Sequence, residues 1–242
     1  MSGSIDLATG VTGSSLCDEM RDDCADIWSG LHAHPFLQEL AAGSLPLEKF
    51  RYFIEQDNFY LDGYARCLAL GAAKSRDETE LRYFTTDLRT VLEAELPSNH
   101  ALLAQVTEMG AADRGGSRAM ALVTVAYTSY MEAVAARGGP LEIMAALLPC
   151  AWSYIEIAGR LRRATTTDHP VYGRWIAFFS QPENVEMVAD MRRDLDALAA
   201  AEGLSTARRS ELRRIFATSS RLEREFWEMA YGMERWFDLD EA

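Results

Sequence analysis

From about residue 14 onward, apolar residues recur at helical spacing almost without interruption, and this periodicity restricts the chain to an all-α fold. The interruptions are short turn signals, HAHP, GSLP, AADRGGS, RGGP, TTTDHP and AEGLS, built from proline, glycine and small polar residues. No segment reads as a strand. One candidate linker exists at residues 110–117, but the helices on both sides of it are too apolar to stand alone. A single multi-helical domain is therefore expected over residues 14–242, after a flexible leader at 1–13. The 242 residues are 48% hydrophobic, ample material for one core. The segment SRAMALVTVAYTSYMEAVAARGG, whose one acidic residue is Glu132, reads as a central helix surrounded by the others and stopped by its glycines.

Charge and cysteine usage narrow the function classes. A net charge of −13 and a pI of about 4.8, with no run of Lys and Arg, argue against nucleic acid as a partner. No stretch reads as long and apolar enough to span a bilayer, and the N-terminus lacks the basic and apolar blocks of a signal peptide, so no membrane partner is expected. Cys17, Cys24, Cys67 and Cys150 form no CxxC pair, which points to reduced thiols in a cytoplasmic setting.

Carboxylates on apolar helix faces carry the most information, because an unpaired buried charge costs several kcal/mol. Around Asp57, the positions three, four and seven residues away are Phe50, Phe53, Ile54, Tyr60, Leu61 and Tyr64, whereas Arg51, Glu55, Asn58 and Asp62 share the opposite face. Asp57 should point inward, either paired with a buried arginine or tyrosine or available to a ligand. The same test places Glu223 among Phe216, Ser219, Ser220, Phe226, Trp227 and Ala230. Its pKa should rise toward the range of a general acid, unless Ser219 or Ser220 holds it in a structural bond. In AALLPCAWSYIEIAG, Pro149 sits beside Cys150 inside an apolar helix, where it costs about 3 kcal/mol. It could kink the helix around an inert buried cysteine or expose a thiol to a pocket. Tyr154 lies one turn beyond Cys150, and Tyr127 and Tyr130 sit in the nearly uncharged helix. A cysteine, two inward carboxylates and several tyrosines from different helices suit a closed pocket for a flat polar heterocycle.

The motifs HPF, LP, QD-x-x-YL, AYTSYM, EIMAALLPCAWSYIEI, DHPVYGRWI and FWEMAYGMERW occur in an order and spacing that resembles the TenA/thiaminase II family, which has the haem-oxygenase-like all-helical fold. The resemblance covers nearly the whole chain. It implies hydrolysis of 4-amino-5-aminomethyl-2-methylpyrimidine, and to a lesser degree thiamin, releasing the hydroxymethylpyrimidine used in thiamin salvage. It further implies that Cys150 is the nucleophile, Glu223 the proton donor, Asp57 the carboxylate on the aminopyrimidine edge, and Tyr154 a ring contact, with Tyr60 and Tyr127 supporting the cysteine. No metal or organic cofactor is called for, and a homotetramer is the implied assembly. Two departures stand out. Phe179 occupies the place of a family tyrosine, which removes a hydroxyl contact, and Pro97 between Glu95 and His100 makes an irregular version of a region that is usually smoothly helical.

Three rivals share the fold: a haem protein, a di-iron protein and a non-catalytic binding or regulatory protein. Glu-x-x-His pairs are absent, and His32 and His34, two residues apart, face different ways on a helix. His34 and His169 each precede a proline and read as helix starts, and His100 as structural. The presence of Cys150 and Glu223 favours an enzyme over a binding protein.

Overall fold

The computed structural model describes residues 15–114, 119–164 and 168–236, so the leader expected at 1–13 lies outside the described residues. Every regular element among them is helical. Three short helices, α1 (Leu16–Asp23), α2 (Ala25–His32) and α3 (Pro35–Ala42), precede the long α4 (Leu47–Lys74). Next come α5 (Glu78–Thr90), a π-helical turn at Val91–Glu95, α6 (Leu96–Glu108) and α7 (Leu122–Arg137). The chain then forms α8 (Pro140–Ala164), α9 (Pro170–Phe179), α10 (Pro182–Glu202) and α11 (Thr206–Gly232). Helix starts follow local chemistry. Ser15, Asp77 and Ser205 each accept a first-turn backbone N–H through the side chain, His34 does so for α3, and His169 sits at the N-cap of α9. Gly43 ends α3 at φ 72°, a left-handed conformation that glycine adopts at low cost.

The helix at the centre is α8, not α7. Its residues from Pro140 to Cys150 are all buried, and it packs against α4, α7, α9, α10 and α11. In α7 only Thr124, Tyr127, Thr128, Met131 and Ala135 are buried. The sequence expectation therefore assigned the centre to the wrong helix: small uncharged residues such as Ala126 and Ser129 tolerate exposure, so lack of charge does not mean burial on all sides. A second correction concerns the membrane. Pro140–Ala164 is long and apolar enough to cross a bilayer by composition, but 83% of its most apolar window is buried inside the fold.

Residues flanking the expected linker are tied to α4. Arg51 donates to the Ala111 carbonyl (2.9 Å), and the Gln56 amide spans Ala119 and Ala121 (2.9 and 2.8 Å) while accepting from Thr124 (2.7 Å). The helices on both sides of that linker, α6 and α7, pack on α4, so they belong to one core rather than to two domains. Helices α4 and α5 approach closely at Gly71, where a β-carbon would fall 2.4 Å from the buried Phe84 ring. Gly71→Ala should relieve about 1 kcal/mol of helix propensity cost. The overpacking it forces should cost about 1–3 kcal/mol. The expected result in a thermal melt is a fall of a few degrees, and a rise would show that Phe84 yields freely.

Candidate active site

Pro149 has no N–H to give to the Ala145 carbonyl, which interrupts the α8 ladder one residue before Cys150. Cys150 is 9% exposed, and that exposure faces a pocket whose walls include Tyr64, Asp87, Glu95, Tyr154 and Phe179. The pocket is narrow, with a cavity volume of about 40 Å³ inside about 470 Å³ of atom-free space that includes its mouth. Of the two alternatives for Pro149–Cys150, the structure has the thiol facing a pocket. Ser153 donates to the Cys150 carbonyl (3.1 Å), which steadies the turn that carries both Cys150 and Tyr154.

Behind Cys150 stand Tyr60, Tyr127 and Glu223, each buried. The Tyr60 and Tyr127 rings lie 4.8 Å apart, and the Tyr127 hydroxyl donates to Glu223 Oε2 (3.1 Å). The Tyr60 hydroxyl has Met131 Sδ at 3.5 Å and also reaches the Cys150 sulfur and the Tyr127 oxygen. Its one proton can serve whichever acceptor is charged. Glu223 is held by Tyr127 rather than by the serines beside it: Ser220 accepts from the Trp28 indole (3.1 Å) and Ser219 has no partner. Asp57, buried on α4, accepts from Asn99 (2.8 Å) and from Tyr154. Its companion Glu55, expected on the opposite face, is also buried, because α4 is enclosed on more than one side; Arg51 donates to its Oε1 at 2.8 Å, while Oε2 has no hydrogen-bond partner.

Burial sets the protonation of this cluster. Desolvation pushes Asp57 up to about 7, against the lowering bonds from Asn99 and Tyr154. Desolvation, reinforced by Asp57, pushes Glu223 up to about 8, with Tyr127 and the Trp227 indole opposing. The Cys150 thiol is driven well above its ordinary value by burial and by the Glu223 charge, with Tyr60 pulling the other way. Near neutral pH the cluster therefore favours a neutral thiol beside a protonated Glu223. Such a set can move protons to and from a heterocycle without holding a buried net charge.

The structure thus brings Cys150, Glu223, Asp57, Tyr154, Tyr60 and Tyr127 into one cluster. Tyr130 lies elsewhere, in a cleft beside Glu142 and Arg208. His100 is exposed and plays no packing role. Phe179 does line the pocket, its ring 4.9 Å from Tyr154, so an apolar edge stands where the resemblance implies a hydroxyl. Sequence reading missed Asn99, Glu95, Asp87 and Tyr64. The last two form a buried pair, Tyr64 donating to Asp87 at 3.0 Å. Glu95 ends the π turn, whose extra residue re-aims the side chains that follow, and Pro97 falls where α6 begins. Pro97 was the available signal. Among the described residues, no three His, Cys, Asp or Glu side chains are grouped to hold a metal ion.

The helical layers built on α8, with a cysteine pocket at their centre, define an all-helical protein of the haem-oxygenase-like class. A Shewanella denitrificans domain with a haem-oxygenase-like fold superposes with a TM-score of 0.66 at 14% identity, over 89% of this chain and 91% of that one. Residues 21–233 match the TENA/THI-4/PQQC family model, and the chain belongs to that family. A Halalkalibacterium halodurans protein named aminopyrimidine aminohydrolase is 38% identical, over 92% of this chain and 98% of its own. The structure of a TenA homologue from P. horikoshii matches with a TM-score of 0.78 at 31% identity, over 91% of this chain and all of that one.

Proposed function

We propose that this chain is an aminopyrimidine aminohydrolase of the thiaminase II type, converting 4-amino-5-aminomethyl-2-methylpyrimidine to the hydroxymethylpyrimidine in cytoplasmic thiamin salvage. The observation that carries the reading is the pocket-facing thiol of Cys150 with two proton-holding carboxyls, Glu223 and Asp57, grouped behind it. A protonated Asp57 donates to a ring nitrogen and accepts from the adjacent amino group, matching the aminopyrimidine edge with two hydrogen bonds. Cys150 adds to the unsubstituted ring carbon while Glu223 protonates the neighbouring ring nitrogen, and the thiol proton replaces the one Glu223 has given. Tyr60 and Tyr127 stabilise the sulfur and the carboxyl during the exchange. The ring then expels the amine from the exocyclic methylene, water adds there, and reversal of the thiol addition restores aromaticity. Tyr154 holds Asp57 and contacts the ring.

Self-association fits the same reading. The outward side of α7 carries Ala126 and Ser129 exposed and Val125 and Ala133 half-buried, small residues bordered by the Arg66–Glu132 ion pair (3.8 Å), a surface suited to a second copy within a homotetramer. The experiment that tests the activity follows ammonia and hydroxymethylpyrimidine from the aminomethyl substrate, with thiamin in parallel. Stoichiometric release of both products is expected. Binding of the pyrimidine without turnover would instead make this a binding protein of the same fold.

A further inference from the structure

The proposed reaction leaves one group without a proton carrier: the departing amine. Cys150, Glu223 and Asp57 are all engaged on the ring, yet an amine leaves carbon far more readily when its nitrogen bears an additional proton. Glu95 is in the right place to share one. It lines the same pocket as Cys150 and Tyr154, with part of its surface open to it. No hydrogen bond from another described residue engages its carboxyl. The π turn delivers it there, and such single-turn distortions of α-helices concentrate at functional positions. Burial, with Asp57 and Asp87 nearby, holds the carboxyl well above its ordinary value, so it arrives with a proton to share.

The approach to Glu95 has a matching chemistry. A cleft between α5 and α10 joins the pocket at Asp87 and Met187, and its walls carry Glu183, Glu186, Asp190 and Asp194 against one cation, Arg82. Tyr83 lines the same cleft at 6% exposure, and its hydroxyl has no hydrogen-bond partner. An acidic approach with a vacant hydroxyl suits a basic amine, which Glu95 protonates in place, and opposes a phosphorylated pyrimidine.

We propose that Glu95 is the acid–base residue for the leaving group: it shares a proton with the substrate's amino nitrogen and later takes one from the attacking water. The inference rests on the hydrolase reading. In the first step Glu95 gives its proton to the neutral amino nitrogen, the C–N bond breaks, its electron pair leaves with nitrogen as ammonia, and the ring supplies the pair for the exocyclic double bond. Glu95 remains as carboxylate. In the second step water forms a C–O bond at the methylene, the electron pair returns to the ring, and the water proton restores the Glu95 carboxyl.

The test compares wild type and Glu95→Gln on the primary amine and on substrates whose leaving group needs no proton, thiamin and the trimethylammonium analogue. Because kcat/KM reports only steps through the first irreversible one, C–N cleavage, the variant should lose about 10²-fold on the amine. Its loss on the quaternary substrates should be less than tenfold. Equal losses on all substrates, or none on the amine, would overturn the assignment. A second readout is independent of the quaternary compounds: formate should restore Glu95→Ala on the amine at least tenfold, and absence of rescue would also overturn it. A wild type inactive on every substrate would remove the hydrolase reading itself, and the role of Glu95 with it, whereas an active wild type with indifferent variants removes the Glu95 role alone.

Discussion

Cys150→Ala should lower kcat on the aminomethyl substrate by about 10⁴-fold or more while leaving the fold intact. The size follows from covalent catalysis. Without addition to the ring, the aromatic pyrimidine has no route for pushing electrons toward the methylene, and binding alone supplies little of the acceleration. The small stability effect follows from position: the sulfur borders a pocket that already exists, so removing it enlarges open space rather than creating a sealed cavity, at a cost of about 1 kcal/mol or less. Kinetics and a thermal melt on the same preparation check both halves. A large fall in melting temperature would make Cys150 a packing residue, and retained turnover would make it a bystander. The same thiol should alkylate slowly at neutral pH, because burial keeps it protonated.

The parts of this site that were legible in the sequence are those on undistorted helices. Asp57 and Glu223 stand out because each is a carboxylate surrounded at helical spacing by aromatic residues, and both prove buried at the centre. Helical periodicity held through α4, α8 and α11, so the inward directions inferred for Asp57, Cys150 and Glu223 transferred to three dimensions. It failed at Val91–Glu95, where the π turn inserts a residue into the register and decouples sequence spacing from direction. Asn99, which holds Asp57, and Glu95, which lines the pocket, both lie at or beyond that break. Glu55 escaped for a different reason: amphipathic reasoning allows one buried face, and α4 is covered on more than one, with Arg51 compensating the extra carboxylate. The misplacement of the centre on α7 shows the limit of charge as a proxy, since α8, with Glu142 and several arginines, is the more deeply buried helix.

Glu223→Gln separates catalysis from stability in opposite directions. The amide cannot give a proton to the ring nitrogen, so kcat should fall by about 10³-fold, the middle of the range for a general acid. The wild-type activity that depends on this proton should decline as pH rises through about 8, where Glu223 ionises in the folded state. The stability sign follows from linkage. Unfolded Glu223 titrates at its ordinary value of 4.5 and folded Glu223 at about 8, so between these pH values the folded protein holds a proton that the unfolded chain has released. Wild-type stability from this group is therefore greatest below 4.5 and is lost progressively up to 8. Glutamine does not titrate, and it can retain a hydrogen bond with Tyr127. The variant should melt at nearly the wild-type temperature at pH 4.5 and be more stable by on the order of 3 kcal/mol at pH 8. Melting curves across that range decide the matter: a gap that opens with pH means that the fold carries a carboxyl it would rather not ionise, retained for the proton it delivers, while a gap of constant size would assign Glu223 to packing alone.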